Sequence, residues 1–448
     1  MIKNKWIILV GALLPFTMLS TVTCSNNEPK GVKEENEKVN EIKDKKEIEN
    51  GIEYLIIDKD NIQNYINNGS LIKSEKGYSL IKLINNSIKW TLEDNLLIPS
   101  NLEIVNLNMP NIVKIIDSAF KGSKTLKSII LPKAIEICNE SFKDNSALVD
   151  VNIPLVTKIG DLAFANDVSL ETLDLPKLNQ IGLGSFDNTI FINSLINYSE
   201  NKLAIINNIL VNGKYARGEI ILPNTITKIA ERAFINNYAL KSIQMPSVIE
   251  VGNDAFKGAH ALSKISIPNV IKIGTNGFHR TALVTVDAPK VTAIGDYSFS
   301  NNMKLNNVKM PNLTKVGSYA FGGTSFLQSL INSNENKLAI LNDNIILNGF
   351  EAKGYIIIPD SITIIADSAF EVNRSITRIK MPNVTHIGNF AFASNRSLLS
   401  INIPKVIEIG ESAFSDSNNI SFENSTLPSN MSENDFNSVK EGKNWNNN

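Results

Sequence analysis

Reactive side chains are scarce in this chain. Three histidines and two cysteines, Cys24 and Cys138, are spread over 448 residues. A disulfide framework needs several cysteine pairs, so none is implied. Lys+Arg number 44 against 45 Asp+Glu, a formal net charge of -1. That balance excludes a bulk electrostatic pull toward nucleic acid or an anionic lipid surface. No phosphate-binding glycine loop, calcium loop of alternating acids or paired metal motif occurs. Beyond the first 24 residues, Lys, Asn and Asp interrupt every apolar run, well short of the roughly 20 apolar residues a spanning helix requires.

The chain begins with a secretory layout. Lys3 and Lys5 precede an apolar stretch from Trp6 to Leu19, broken only by Gly11, Pro15 and Thr17. It is short for a membrane span and suits an export signal over residues 1–24. Leu19-Ser20-Thr21-Val22-Thr23-Cys24 resembles a lipoprotein processing site in which Cys24 becomes the lipidated N-terminus. Thr21 and Thr23 depart from that pattern, which favours Leu or Val and then a small residue, and plain secretion is the alternative. Residues 25–50 are almost wholly polar, with Glu-Glu-Asn-Glu-Lys and Lys-Asp-Lys-Lys-Glu. They cannot bury enough apolar area to fold, and they are expected to form a disordered tether.

From about residue 102 the chain repeats itself. An Ala/Ser-Phe dipeptide, with Gly277 as the one exception, marks each unit. Its phenylalanines are 120, 142, 164, 186, 234, 256, 278, 299, 321, 370, 392 and 414, mostly 22 residues apart with two longer steps of 48 and 49. A proline keeps the same pace from Pro110 to Pro404. Two markers in phase over so long a stretch identify a solenoid. In the unit from Leu148 to Phe164, Val151 and Ile153 alternate with Asp150 and Asn152, which predicts a short strand with one buried face. Pro154 ends it, Val156 and Ile159 turn inward on a second side, and Gly160 is expected to permit a tight bend. Stacked units then share one continuous core of Phe on Phe and Ile on Ile.

The longer steps repeat as well. Ser194-Leu-Ile-Asn and Glu200-Asn-Lys-Leu-Ala-Ile recur 135 residues later from Ser329 and Glu335. Each is followed by Asn-Gly, at 212–213 and 348–349, where a tight hairpin-like turn is expected. A duplication of several coils, with about one extra coil per long step, is the simplest account. Residues 51–101 lack the period, carry strand-like stretches near Tyr54 and Tyr78, and are assigned as an N-terminal cap. Residues 423–448, together with Phe422, supply apolar side chains including Phe436 and Trp445 for a C-terminal cap.

The pattern Leu-x-x-Ile-x-Leu-Pro…Ile-Gly-x-x-Ala-Phe, as in Leu240-Lys-Ser-Ile-Gln-Met-Pro and at Ile273-Gly274, resembles the BspA-like, or Treponema pallidum-type, leucine-rich repeat. The resemblance covers about residues 102–422. It implies a repeat solenoid of leucine-rich type, with a short parallel strand per coil, mainly β and loops with few helices. It also implies attachment to partner surfaces, host extracellular matrix among them.

Catalysis in a solenoid needs reactive groups at one offset in neighbouring coils. His260 lies four residues after Phe256, His279 one after Phe278 and His386 six before Phe392, so they do not stack into a metal site or relay. Cys138 stands where other coils carry Gly160 and Gly182, and is expected to be a small half-buried residue. No catalytic residue, metal or cofactor is assigned. An enzyme on a parallel β-helix would need stacked acids or cations that the offsets do not supply.

What remains is a ribbon of outward-pointing strand residues, more acidic toward its N-terminal half and basic toward its C-terminal end. Ile221, Tyr355 and Ile357 are apolar or aromatic points on it that could anchor a partner, and Arg378 and Lys380 are basic points toward its C-terminal end. These five are the candidate contacts for a partner. The expectation is a cell-surface binding protein with a macromolecular ligand, anchored to the membrane through lipid on Cys24. No nucleic acid and no small-molecule substrate are expected. A non-catalytic spacer of the cell envelope is the alternative.

Overall fold

The computed structural model describes residues 113–446 continuously. Before them it describes only the strands Lys5–Ile8, Lys45–Glu49, Ile52–Asp58, Leu71–Ser74, Gly77–Leu80, Trp90–Glu93, Leu96–Pro99 and Asn106–Asn108. The export signal with Cys24, the tether and the cap assigned to 51–101 therefore lie largely outside the described residues. The strands near Tyr54 and Tyr78 are present as Ile52–Asp58 and Gly77–Leu80, and both pair antiparallel. Residues divide into two compact units, Met1–Glu200 with Ala204–Asn207, and Asn201–Leu203 with Asn208–Asn448.

Each unit is built from coils of about 22 residues. In the first unit, strands Asn106–Asn108, Ser128–Ile130 and Asp150–Asn152 pair parallel, with each residue opposite the one 22 positions on. A second parallel ladder joins Lys114–Ile115, Glu136–Ile137, Lys158–Ile159 and Gln180–Ile181. The second unit repeats both ladders, for example Gly218–Ile221 with Leu240–Gln244 and Lys264–Ser266. The strands stay at two to five residues because each coil must turn twice more before meeting its own next level.

The core follows the alternation read from the sequence. Val151, Ile153, Val156, Ile159, Ala163 and Phe164 are all buried. The phenylalanines form ring stacks. In the first unit Phe120, Phe142, Phe164 and Phe186 are spaced 5.3, 5.3 and 5.5 Å apart. In the second, Phe234 to Phe321 are spaced 4.7, 4.9, 5.4 and 5.6 Å. Phe370, Phe392 and Phe414 stack at 4.8 and 5.2 Å. Each fully buried side chain of this size contributes roughly 1.5–3 kcal/mol, which is what makes one coil depend on the next.

The bends are not made where the sequence suggested. Gly160 has no left-handed φ; a Cβ there would lie 2.6 Å from the backbone N of Asn139 in the neighbouring coil. This glycine column permits close approach of backbones. The chain turns instead at two left-handed columns that flank each phenylalanine. Two residues before it, φ runs from 51° to 59° in all twelve coils, and two residues after it from 53° to 76°. Gly122, Asp144, Asn166 and Gly258 are the residue types that tolerate this conformation. The side chain after the glycine column ties levels together: Asp117 Oδ1 accepts Asn139 N–H and Asn139 Oδ1 accepts Asp161 N–H, both at 2.8 Å.

The long steps contain helices. Helix α1, Ile190–Tyr198, is capped by Thr189, whose hydroxyl accepts Ile192 N–H at 3.1 Å. Helix α2, Ser325–Ser333, is capped in the same way by Thr324 and Leu327 N–H. Phe191 and Phe326 on these helices close the ring stacks edge-on, at 74° and 69° to Phe186 and Phe321. After α2, strands Ala339–Leu341 and Ile345–Asn348 form a hairpin. Its turn is at Asn342 and Asp343, both left-handed, and not at Asn348-Gly349. Gly349 has another duty. Its N–H donates to Ala369 C=O at 2.7 Å, as Phe120 N–H donates to Ser141 C=O. It thus occupies a phenylalanine position, and a Cβ would overlap the Phe370 ring. Gly213 stands likewise against Phe234. Each long step therefore adds about one coil, with glycine in place of phenylalanine.

At the C-terminal end, helix α3, Glu433–Lys440, starts on a capping box between Ser432 and Asp435 and buries Phe436 and Val439. Trp445–Asn446 then pairs antiparallel with Glu408–Ile409, ending the parallel ladder.

Candidate binding surface

The outward strand face is set by the period-two alternation. In Gly354–Ile357 the side chain of Ile356 is buried, while Tyr355 and Ile357 are 58% and 54% exposed. The adjacent strand Ile376–Lys380 buries Ile379 and exposes Arg378 and Lys380. Parallel register places Tyr355 opposite Arg378 and Ile357 opposite Lys380. The next strand adds Ser400 and Asn402 beside them. With strands about 4.8 Å apart, four of the five sequence-derived residues form one two-by-two patch. Arg378 and Lys380 make no ion pair among the described residues.

Ile221, 64% exposed, is not part of that patch. It lies on a different three-stranded ladder, opposite Gln244. It holds the equivalent place in the earlier of the two duplicated blocks. Both blocks carry a β-bulge there: the register slips between Gly218 and Glu219, and between Gly354 and Tyr355. Lys241 and Thr377 are the extra residues on the facing strands. Bulges of this kind redirect side chains and sharpen local twist.

The residues considered for catalysis are dispersed. His260 stacks on Tyr238 with centroids 5.6 Å apart. The His279 ring shares a hydrogen bond of 2.6 Å with the Ser300 hydroxyl. Burial, followed by the charges of Arg280 and Lys257, lowers the His279 pKa. His386 sits 3.7 Å from Glu408 across a strand pair. No cluster of three metal-ligating residues occurs among the described residues. Cys138 is fully buried, not half-buried. None of the described helices is long and apolar enough to cross a membrane.

Two polar features escaped the sequence reading. One is an ionic ladder in which Glu136 bridges Lys114 and Lys158, each at 2.7 Å. Burial acts to raise the Glu136 pKa, but the two lysines outweigh it and the net shift is downward. The other is a fully buried carboxyl, Asp167, three residues after Phe164. Burial, reinforced by the Asp144 charge, pushes its pKa up to about 9, against the opposing effect of the Asn145 N–H it accepts. The period alone marks Asp167 as a position where other coils carry Asn145, Asn237 and Asn302. Its uncompensated burial is visible only in three dimensions.

Two ladders per coil, a shared aromatic core and an exposed strand ribbon define a leucine-rich-repeat solenoid of the binding type. The sequence profile of the BspA type leucine rich repeat region matches residues 92–215, 204–328 and 348–441. The chain belongs to the BspA-type leucine-rich repeat family. Among solved structures, a leucine-rich cell surface protein from Faecalibacterium prausnitzii shares 20% identity, over 84% of this chain and 97% of that one, with a TM-score of 0.25. The pneumococcal vaccine antigen PcpA shares 14% identity over 81% and 99% (TM-score 0.28), and the T. pallidum leucine-rich repeat protein 15% over 48% and 84% (TM-score 0.22). No curated protein matches the chain.

Proposed function

We propose that this chain is an exported, non-catalytic surface protein that binds a macromolecular partner through the Tyr355–Ile357–Arg378–Lys380 patch. The observation that carries the reading is the register of Gly354–Ile357 against Ile376–Lys380. It sets two exposed apolar side chains directly beside two cations that have no acidic partner among the described residues. A patch of that kind suits a protein segment combining apolar side chains with carboxylates. Aromatic and arginine side chains are also the types that dominate binding hot spots. Family membership and the export-type leader support a surface location.

The test uses the full chain against a panel of extracellular-matrix proteins. It is compared with a variant in which Tyr355, Ile357, Arg378 and Lys380 are all alanine. Saturable binding that weakens by about 2 kcal/mol or more in the variant, on the hot-spot scale, supports recognition through the patch. Binding to no panel member leaves the envelope spacer as the better account.

Membrane attachment through Cys24 is the second part of the proposal. Labelled palmitate should enter the native chain and be absent from Cys24→Ala. A Cys24 sulfur carries either a thioether to lipid or a disulfide, never both. Recovery of a native chain with no label and with Cys24 bonded to Cys138 would overturn the anchor.

A further inference from the structure

A groove opens on the turn side of the second interrupted coil. Its cavity of about 750 Å³ is lined by residues that include Glu335, Lys337, Phe350, Glu351, Lys353 and Arg374. A second hollow of about 400 Å³ shares Phe350, Glu351 and Val372 with it and adds Tyr319 and Glu371. Phe350 is 57% exposed and Tyr319 43%. The tyrosine is held firmly: its ring stacks on Tyr297 at 5.5 Å, and its hydroxyl donates to Glu371 Oε2 at 2.8 Å.

The backbone here is costly. Tyr319 and Val372 occupy the two left-handed columns, with φ of 53° and 59°. The column of Tyr319 takes many residue types, Tyr297 and Phe390 among them, but asparagine, aspartate or glycine fills nine of the twelve places in the column of Val372, where a β-branched residue with positive φ is a true outlier. Strain of this kind persists where surrounding structure over-determines it, often at ligand sites. Exposed apolar side chains on strained backbone gain nothing from water alone.

The walls carry three carboxylates, Glu335, Glu351 and Glu371, and three cations, Lys337, Lys353 and Arg374. Their charges cancel, so the groove selects neither a polyanion nor a polycation. The first duplicated block differs. In place of Phe350-Glu351 it has Lys214-Tyr215, Asn236 replaces Val372 and Tyr238 replaces Arg374. The first block keeps exposed aromatic side chains there, Tyr215 and Tyr238, but its cations Lys202, Lys214 and Arg217 outnumber Glu200, so the charge balance belongs to the second block.

We infer that this groove is a binding site for an uncharged oligosaccharide. A sugar ring presents an apolar C–H face to an aromatic ring. Its hydroxyls both donate and accept, so they pair with carboxylates on one side and with ammonium or guanidinium groups on the other. Both volumes fall within the roughly 300–1,000 Å³ usual for sites that bury small ligands among apolar walls and a few polar groups. The site is separate from the strand-face patch and does not depend on it.

The experiment titrates the full chain by calorimetry with cellotetraose, laminaritetraose, mannotetraose and the N-acetylglucosamine tetramer, and with tetragalacturonate as a charged probe. At least one uncharged sugar should bind saturably below about 10 mM. Phe350→Ala and, separately, Glu351→Gln should weaken it at least about tenfold with unchanged melting temperature, while Tyr355→Ala leaves it intact. The proposal is overturned if no uncharged sugar saturates, if tetragalacturonate binds more tightly, or if Phe350→Ala binds like the native chain.

Discussion

Asp167→Asn should stabilise the protein, and by an amount that grows with pH. Asp167 is completely buried, and its Oδ1 accepts Asn145 N–H at 2.7 Å. Its Oδ2 and the Asn145 Oδ1 both lack a hydrogen-bond partner. Burial first, then the Asp144 charge, raise the carboxyl from 3.8 to about 9. The side chain is therefore a neutral acid in the fold at pH 7, while the unfolded chain carries it ionised. The folded pKa lies above the unfolded one. The stabilisation is full below about pH 4 and is lost progressively as pH rises to about 9, at close to 1.4 kcal/mol per pH unit. By pH 7 the loss is on the order of 4 kcal/mol, less whatever local relaxation recovers. Asparagine occupies the same offset at Asn145, Asn237, Asn302, Asn373 and Asn395, so the substitution fits the coil and removes the titration. The assay is denaturant unfolding of both chains between pH 4 and pH 9. Amide exchange in the coils of Phe142 and Phe164 accompanies it, because repeat proteins need not unfold in one step. A stability difference near zero at pH 4 that widens steadily toward pH 8 is expected. A difference independent of pH, or a variant weaker than the native chain at pH 8, would refute the reasoning.

Two further substitutions probe the fold. Gly349→Ala places a methyl group inside the Phe370 ring and should cost about 1–3 kcal/mol or more through overpacking, read as a fall in melting temperature. An unchanged melting temperature would mean the glycine does not hold the phenylalanine position. Val372→Asn should raise stability by about 1 kcal/mol, because asparagine tolerates the left-handed backbone that valine resists. A loss of stability in that variant would show that the valine side chain packs more than its exposure suggests.

The core was legible because a solenoid writes the same burial demand once per coil. Phe164 must face inward for the reason that Phe142 and Phe186 must, so the period discloses the stack without any coordinates. The left-handed columns were legible in principle. Gly122, Asp144, Asn166, Asn188 and Gly258 share one offset and one conformational tolerance, but the more conspicuous glycine at Gly160 drew the bend to the wrong place. Its role, clearance between neighbouring backbones, involves atoms from another coil and leaves no local signature. The same limit applied at Asn348-Gly349, where a turn-forming dipeptide serves to seat a ring. For the partner-binding patch, alternation identified which side chains point outward. It could not show that Tyr355 and Ile357 lie opposite Arg378 and Lys380 while Ile221 lies on another ladder. That depends on where the interrupted coil re-enters the stack, and the bulge at Gly354 shifts the register by one residue.

The matched spacing of the ladders has a consequence for inheritance. Hydrogen bonds between levels join positions one repeat apart, so losing a whole repeat leaves every donor facing an acceptor, whereas losing a few residues throws all that follows out of phase. The near-identical stretches beginning at Ser194 and Ser329 lie 135 residues apart, and recombination between them would remove or add a complete block while leaving the sequence at the junction unchanged. A shorter or longer form made in that way would keep its joints intact and would differ in how many exposed faces it presents.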